Sequence, residues 1–250
     1  MFEVLAPEKR RAILSKLKEG KKDLKTLSSE VEASPPVVLK HLKKLEEAKL
    51  VEREGRQYSL TYLGDLVLVA VEDFERFLKF VERDYDYWLE HDLTNLPREF
   101  KLRLPEIGNY EIIRSDGEEV LRHFKVFSKV YTESKIVRAL SAVMFPDHPK
   151  MFVDIAKKAD VEVVVTSKIV KSLREYYQKE LQEFLDAGGK IYVNDDVRMT
   201  VIVTEKALCL GFFLRDGVYD TESGVISYDE SAKKWGFEVF EYFKARSQPL

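Results

Sequence analysis

Between Ser34 and Val51 the chain reads Ser-Pro-Pro-Val-Val-Leu-Lys-His-Leu-Lys-Lys-Leu-Glu-Glu-Ala-Lys-Leu-Val, a stretch that leaves little choice of local structure. Ser34 is a helix-capping residue type, and Pro35 falls in the first turn, where proline costs no hydrogen bond. Val38, Leu42 and Leu45 then recur at helical spacing, which predicts a helix from residue 35 to about Lys49 with those side chains inward. Burying them leaves Pro36, Val37, Leu39, Lys40, Lys43 and Lys44 outward, with His41 beside them. A major groove admits one α-helix. Lys40 can donate to guanine O6 and N7 or to a phosphate, and Val37 and Leu39 can touch thymine methyls.

The flanking segments agree with such a role. Ala12, Ile13, Leu14 and Leu17 form an apolar stripe in a helix over 7–19 that stops at Gly20. Asp23 can cap a second helix that turns Leu24, Leu27 and Val31 inward. After the third helix, residues 50–53 and 57–60 read as two strands around Glu54-Gly55-Arg56, a tight hairpin. It places Arg53 and Arg56 at its tip, suited to a minor groove or the adjacent backbone. Three helices and a hairpin in this order make a winged helix-turn-helix, with Ser34, Pro36, Val37, Leu39, Lys40, His41, Lys43, Lys44, Arg53 and Arg56 as its DNA-facing residues. A run of lysines alone more often just solvates a helix face. The coincidence of a capped helix, a basic outer face and a basic hairpin outweighs that reading.

The net charge of the 250 residues, −3, opposes nucleic-acid binding only until it is resolved along the chain. Residues 1–62 hold 14 Lys and Arg against 10 Asp and Glu, a net of +4, and the remainder carries −7. Phosphate attraction acts over about 8 Å at physiological salt, so the basic head decides the matter.

Residues 64–91 carry a long apolar stripe, including Leu66, Val71, Phe74, Leu78 and Val81, and read as one connecting helix. The stripe is wider than the head can cover, which points to pairing with a second copy of the chain. Packing on the chain's own second domain is the alternative. Residues 92–117, with Pro97, Pro105, Gly108 and Gly117, read as irregular. Thereafter helices (118–131, 147–159, 168–187 and 229–245) alternate with strands (136–144, 161–166, 190–194, 199–204, 207–214 and 224–228), and Asp216-Gly217 makes a turn. This pattern implies an α/β domain with a mixed sheet. The division is a head at 1–63, a connecting and dimerisation helix at 64–91 and an α/β domain at 92–250.

Nothing in the sequence reaches the roughly 20 apolar residues of a membrane span, and residues 1–8 have no signal-peptide character, so a cytoplasmic protein is expected. Cys209, the lone cysteine, sits in the apolar run 207–213 and reads as a buried strand residue. No metal site and no cofactor are expected, since Cys and His clusters and glycine-rich phosphate loops are missing.

Ser34, Lys40-His41-Leu42, Lys44-Leu45-Glu46-Glu47-Ala48 and Tyr58-Ser59-Leu60-Thr61-Tyr62-Leu63-Gly64 resemble the winged helix-turn-helix of the ArsR-like, metalloregulator-type repressors. Two departures are Leu39, where that class often has a small polar residue, and Lys49, where it usually has glycine. The second domain is similar to the C-terminal domain of archaeal regulators typified by the methanogenesis regulator of filament-forming methanogens. The residues that carry this are 91–93, Leu96-Pro97, Phe145-Pro146, Leu214-Arg215-Asp216-Gly217-Val218-Tyr219-Asp220, Ile226-Ser227 and 232–243. In that run Trp235 and Phe240 read as core rather than as a cofactor platform. The resemblance implies a homodimeric regulator of double-stranded DNA whose second domain, phospholipase D-like and non-catalytic, senses a small-molecule effector.

Phospholipase D chemistry needs His-x-Lys-x4-Asp. His148-Pro149-Lys150 has Asp154 one position early, and His123-Phe124-Lys125 has no matching aspartate. A non-enzyme is therefore expected. A phosphodiesterase with a DNA-tethering head and a winged helix that binds protein are the competing readings.

Overall fold

The computed structural model describes every residue except 116–118 and 120. The chain divides into two compact units, Met1–Glu82 and Arg83–Leu250.

The first unit contains α1 (Phe2–Leu5), α2 (Glu8–Lys18), β1 (Lys22–Asp23), α3 (Leu24–Glu30), α4 (Pro35–Glu47), β2 (Val51–Glu54) and β3 (Gln57–Leu60). It closes on α5, which runs over Tyr62–Arg83. The strands form a sheet in the order β1-β3-β2. Ile13, Leu14, Leu17, Leu27, Val38, Leu42, Leu45, Leu50 and Tyr58 form one buried cluster, so the stripes of three helices and the hairpin share a core. Asp23 caps α3 by accepting the Thr26 N–H at 2.8 Å. Ser34 occupies the N-cap of α4, but its side chain makes no capping bond. The reason is local: Pro36 at the second helical position has no N–H to offer, and the Val37 N–H at the third is taken by the Ser34 carbonyl. The Ser34 carbonyl instead accepts from Val37 and Val38 at 2.9 and 3.0 Å.

The far end of α4 explains the glycine preference that Lys49 breaks. Lys49 adopts φ 62°. Its N–H donates to Glu46 O at 2.9 Å, and the Leu50 N–H reaches back to Leu45 O at 3.0 Å. This is a Schellman closure, with Leu45 and Leu50 both fully buried beneath it. A side chain in the left-handed region costs roughly 1–2 kcal/mol, and glycine gives part of that back as unfolded-state entropy. Lys49→Gly is expected to raise stability by about 0.5–1 kcal/mol. The check is a higher urea midpoint at unchanged slope; a lower midpoint would rule out the left-handed backbone at this residue.

The junction into α5 is close-packed. Thr61 donates its hydroxyl to Lys49 O at 2.6 Å and accepts the Gly64 N–H at 2.9 Å, so it caps α5 while tying it to the end of α4. The helix expected over 64–91 is interrupted. Asp84 leaves helical geometry at φ −135°, and α6 (Tyr85–Glu90) follows. Trp88 on α6 donates its indole N–H to the Tyr110 hydroxyl at 3.0 Å and is buried there, so α6 belongs to the second unit's core.

In the second unit, residues 92–117 contain more order than their prolines and glycines suggest. β4 (His91–Asp92), α7 (Arg98–Leu102), a 3-10 turn (Leu104–Ile107) and β5 (Tyr110–Arg114) lie there. β5 is an edge strand that pairs with the strand at Ser223–Ser227, a partner more than a hundred residues away that local pattern cannot show. Helix α8 spans Arg122–Thr132; the start of the helix expected at 118 lies outside the described residues. β6 (Ile136–Ser141), α9 (His148–Ala156), β7 (Asp160–Val165), α10 (Ser167–Tyr176), α11 (Gln178–Asp186) and β8 (Lys190–Val193) follow. The helix expected at 168–187 is thus two, broken at Tyr177 with φ −135°. β9 (Met199–Thr204), β10 (Leu208–Leu214), β11 (Ser223–Ser227), α12 (Glu230–Lys244) and β12 (Gln248–Pro249) complete the chain.

Among the described residues these strands form one nine-stranded sheet in the order β12-β8-β7-β6-β9-β10-β11-β5, with β4 against β10. The β6–β7 and β7–β8 pairs are parallel and the others antiparallel, so the sheet is mixed, as the strand–helix spacing predicts. Phe127, Val137, Ala139, Ile155, Ile202, Cys209 and Ile226 belong to one cluster under α8–α11. Across the sheet, Trp235, Val239, Phe240 and Phe243 of α12 are buried. The Trp235 indole donates to Phe100 O at 3.3 Å, so it is a core residue with a satisfied N–H. Burial also pushes the Cys209 thiol well up, away from thiolate chemistry. No described helix is long and apolar enough to cross a membrane.

Candidate nucleic-acid interface

Burying Val38, Leu42 and Leu45 turns the other face of α4 outward, and Pro36, Val37, Leu39, Lys40, Lys43 and Lys44 are all exposed there. Beside this face stands the hairpin. Arg53 pairs across the strands with Tyr58, and Glu54 with Gln57, leaving Gly55 and Arg56 as a two-residue turn. Gly55 supplies the φ of 63° that such a turn needs. Leu39, Arg53, Arg56 and Tyr58 line a groove of about 380 Å³, joined by Asp23, Leu24 and Lys25 of the α3 start. The fold therefore brings the middle of α4 and the hairpin tip to one concave surface.

The cations on this surface are in different states. The side chains of Lys25, Lys40, Lys43 and Arg56 make no hydrogen bond or ion pair with any described residue; Asp23 and Glu47 feel the charges of Lys25 and Lys43 only at longer range, so all four can meet an external anion. Lys44 is held by Glu47 at 2.7 Å, an exposed pair that screens part of its charge and holds the Glu47 carboxyl below its usual range. Arg53 donates to Gly55 O at 2.9 Å and lies 5.4 Å over the Tyr58 ring, which braces the hairpin. His41 is half-buried, and its Nδ1 accepts from Arg10 Nε at 3.3 Å. Burial first, then the charges of Arg10 and Lys40, lower its pKa, so near pH 7 it is a neutral brace between α2 and α4. Ser34 is exposed and contributes its backbone rather than its hydroxyl to the helix start. Lys25 was missed because its position on the second helix carries no motif; the spatial neighbourhood alone selects it.

Four of the five side chains Leu66, Val71, Phe74, Leu78 and Val81 fall within one third of the α5 circumference, flanked by Leu63, Ala70 and Phe77. Leu66 and Phe74 are exposed by 68% and 62%, and Leu78 is also exposed. Val71 and Val81 are half-buried, Val71 at the margin nearest the core-facing side of Gly64 and Leu68.

The phospholipase-like triplets do not assemble. His148, Lys150 and Asp154 share α9, where residues two apart point about 200° away from each other. His148 accordingly lines an internal cavity, while Lys150 is exposed and Asp154 pairs with Lys157 at 3.8 Å. His123 is fully buried against Phe127 and Gly224, and neither of its ring nitrogens has a partner. Burial holds its pKa down at about 4. A buried polar cluster absent from the sequence reading lies nearby: His91 Nε2 bonds Asp220 Oδ2 at 3.0 Å, and Ser223 donates its hydroxyl to the same carboxylate. All three are buried, and the serine faces the aspartate rather than the histidine, so this is an ordering network and not a nucleophile–base pair.

Comparison with known proteins places this architecture. Residues 120–246 match the family described as "Methanogenesis regulatory protein FilR1, middle domain". The chain belongs to that family. Residues 3–84 match a second family, the HVO_A0261 N-terminal domain, a match that takes in all of α5. A curated relative, the methanogenesis regulatory protein FilR1 of Methanothrix harundinacea strain 6Ac, is 30% identical over 246 residues, 95% of this chain. The chain spans 55% of that relative's length. Among solved structures, TrmBL2, described as an archaeal chromatin protein, is similar over 100% of this chain and 98% of its own, with 12% identity and a TM-score of 0.47. Nuc of Salmonella typhimurium, a phospholipase D family member, is similar over 57% of this chain and 99% of its own, with 15% identity and a TM-score of 0.42. Both structural likenesses are distant.

Proposed function

We propose that this protein is a DNA-binding transcriptional regulator whose head is an ArsR-like winged helix-turn-helix. α4 is its recognition helix, and the β2–β3 hairpin is its wing. The observation that carries the reading is the groove shared by Lys25, Arg56 and the exposed Leu39, with Val37, Lys40 and Lys43 exposed on α4 beside it. Cations without internal partners lose nothing on meeting phosphate and release condensed counterions from DNA. Apolar side chains among them suit thymine methyls. The family supports the reading, since its curated member is a regulatory protein.

In this scheme the protein works as a homodimer through the apolar face of α5, with Leu66, Phe74, Leu78 and Val81 at the seam and Val71 at its edge. Two recognition helices then meet successive major grooves roughly 34 Å apart. The C-terminal α/β unit modulates operator affinity when it binds an effector, with a coupling of about 1–3 kcal/mol, as is usual for such linkage.

The test is a titration of a duplex from the protein's own upstream region at several salt concentrations. Lys40→Ala and Lys43→Ala are each expected to weaken binding and to lower the log K against log salt slope by about one unit per lost phosphate contact. Lys44→Ala, already neutralised by Glu47, should change less. The same titration read for stoichiometry should give two chains per site. Parent-like binding by both the Lys40 and Lys43 variants would overturn the assignment of α4.

A further inference from the structure

We propose that the cavity between the β6–β7–β8 face and helices α9, α10 and α11 binds a small molecule with a short unbranched hydrocarbon body and an ammonium head. Its floor follows from strand register: Ala139, Val163 and Ile191 stand side by side across three parallel strands and line the space together. Val163 is half-buried although Glu162 and Val164 on either side are buried, because its side chain faces the cavity. Phe152 and Phe184 contribute aromatic walls. The Phe184 ring lies where a Cβ on Gly189 would stand 2.4 Å from its Cζ, so glycine at that position lets the wall sit where it does.

The volume is about 80 Å³, against the roughly 150 Å³ that holds a benzene ring in an engineered core. A small apolar body of a few carbons fits. An unfilled apolar void lowers stability, and this one reaches Ser141 and Val165, the carboxyl ends of β6 and β7, where α/β sheets place their ligand crevices.

Besides Ser141, whose hydroxyl donates to Val143 O at 2.7 Å, two polar side chains in the lining select the head group. Glu180 is half-buried and makes no ion pair or hydrogen bond with any described residue. The His148 ring likewise has no hydrogen-bond partner among them. Burial holds its pKa at about 4, so near neutral pH it is uncharged and offers an acceptor nitrogen. A carboxylate and a neutral imidazole on a mostly hydrocarbon wall complement a donor-rich cation and repel an anion. The wall also crosses the break at Tyr177: Leu173 of α10 and Leu181 of α11 both line the space, so an occupant touches both halves of the interrupted helix.

The regulatory meaning of such binding rests on the function proposed above, but its test contains no DNA, so either reading can fail without the other. The full chain is titrated by calorimetry with n-butyl-, n-pentyl- and n-hexylammonium and with n-hexanol. Affinity is expected to rise about fourfold per added methylene until the cavity is full, and n-hexylammonium should bind about fivefold more tightly than n-hexanol. Glu180→Gln, which removes the lining's carboxylate and keeps its shape, should erase that preference and leave hexanol binding unchanged. Val163→Phe, which fills the floor, should abolish binding of every probe. Absence of a chain-length dependence, or an ammonium preference that survives Glu180→Gln, would overturn the proposal even if the Val163 variant did not fold.

Discussion

Gly64→Ala is expected to destabilise the head by about 3 kcal/mol, the reverse of what helix propensity predicts for a residue in the first turn of α5. Propensity alone would favour alanine by up to about 1 kcal/mol. Against this, a Cβ at position 64 would stand 1.9 Å from Leu50 O and 2.9 Å from Leu50 C. The obstacle is backbone, and it is pinned. Leu50 O accepts the Thr61 N–H at 3.1 Å, and the Leu50 N–H closes the end of α4. To admit one methyl group, α5 must lift from the α4–β2 junction and give up the Thr61 bonds to Lys49 and Gly64. Urea unfolding followed by helical circular dichroism, with limited proteolysis at the head, checks this. An alanine variant as stable as the parent would show that α5 does not approach Leu50 this closely.

The second large effect is at Asp220. Asp220→Ala removes the acceptor shared by His91 and the Ser223 hydroxyl, and with it the groups that accept the Glu222 and Ser223 N–H bonds. His91, Asp220 and Ser223 are buried, and breaking a buried charged network from one side costs about 3–5 kcal/mol. The pH dependence carries a sign. Burial would raise the Asp220 pKa, yet the bonds from His91, Ser223 and the Glu222 N–H outweigh it and hold the carboxyl at about 2. A carboxylate depressed in the folded state adds stability above its unfolded pKa, about 3.9, and loses it as pH falls through about 2. The deficit of the alanine variant should therefore be full at pH 7 and shrink below pH 4. His123 and His148, buried neutral with pKa values of about 4, act in an earlier window: they add stability above pH 6.5 and lose it as pH falls towards 4. Guanidinium unfolding of parent and variant at pH 7, 5 and 3 separates the two. A deficit that did not change between pH 5 and pH 3 would contradict the ionised network.

Much of the head was legible because its signals are local. Val38, Leu42 and Leu45 at helical spacing state which face of α4 is buried, and the face left over contains every outward residue that the sequence assigns to DNA. Gly55 marks the turn, and with it where Arg56 stands. Side-chain partnership was not legible. Nothing in the order of residues says that His41 is braced by Arg10 thirty-one positions earlier or that Lys25 lies near Leu39 and Arg56. Ser34 shows the same limit at short range, since Pro36 removed one donor that its hydroxyl would have capped and the Ser34 carbonyl took the other, from Val37.

In the second unit the strand–helix alternation announced a mixed sheet, because apolar runs and amphipathic stretches have different periods. β5 escaped notice because an edge strand needs only one neighbour, and that neighbour, β11, follows it by about a hundred residues. The breaks at Asp84 and Tyr177 lie in segments without Gly or Pro, where periodicity continues on both sides and only packing interrupts it. What the sequence by itself determined is the set of faces: which residues of α4 turn outward, where the basic charge is concentrated, and that a paired α/β layer follows. Only the tertiary structure decided which of those outward cations stay unpaired and that His148 turns towards a cavity instead of a phosphodiester. It likewise decided that Gly64 is a contact rather than a flaw in a helix. Spacing along a helix or strand specifies direction, whereas pairing and enclosure depend on which distant segments close the space.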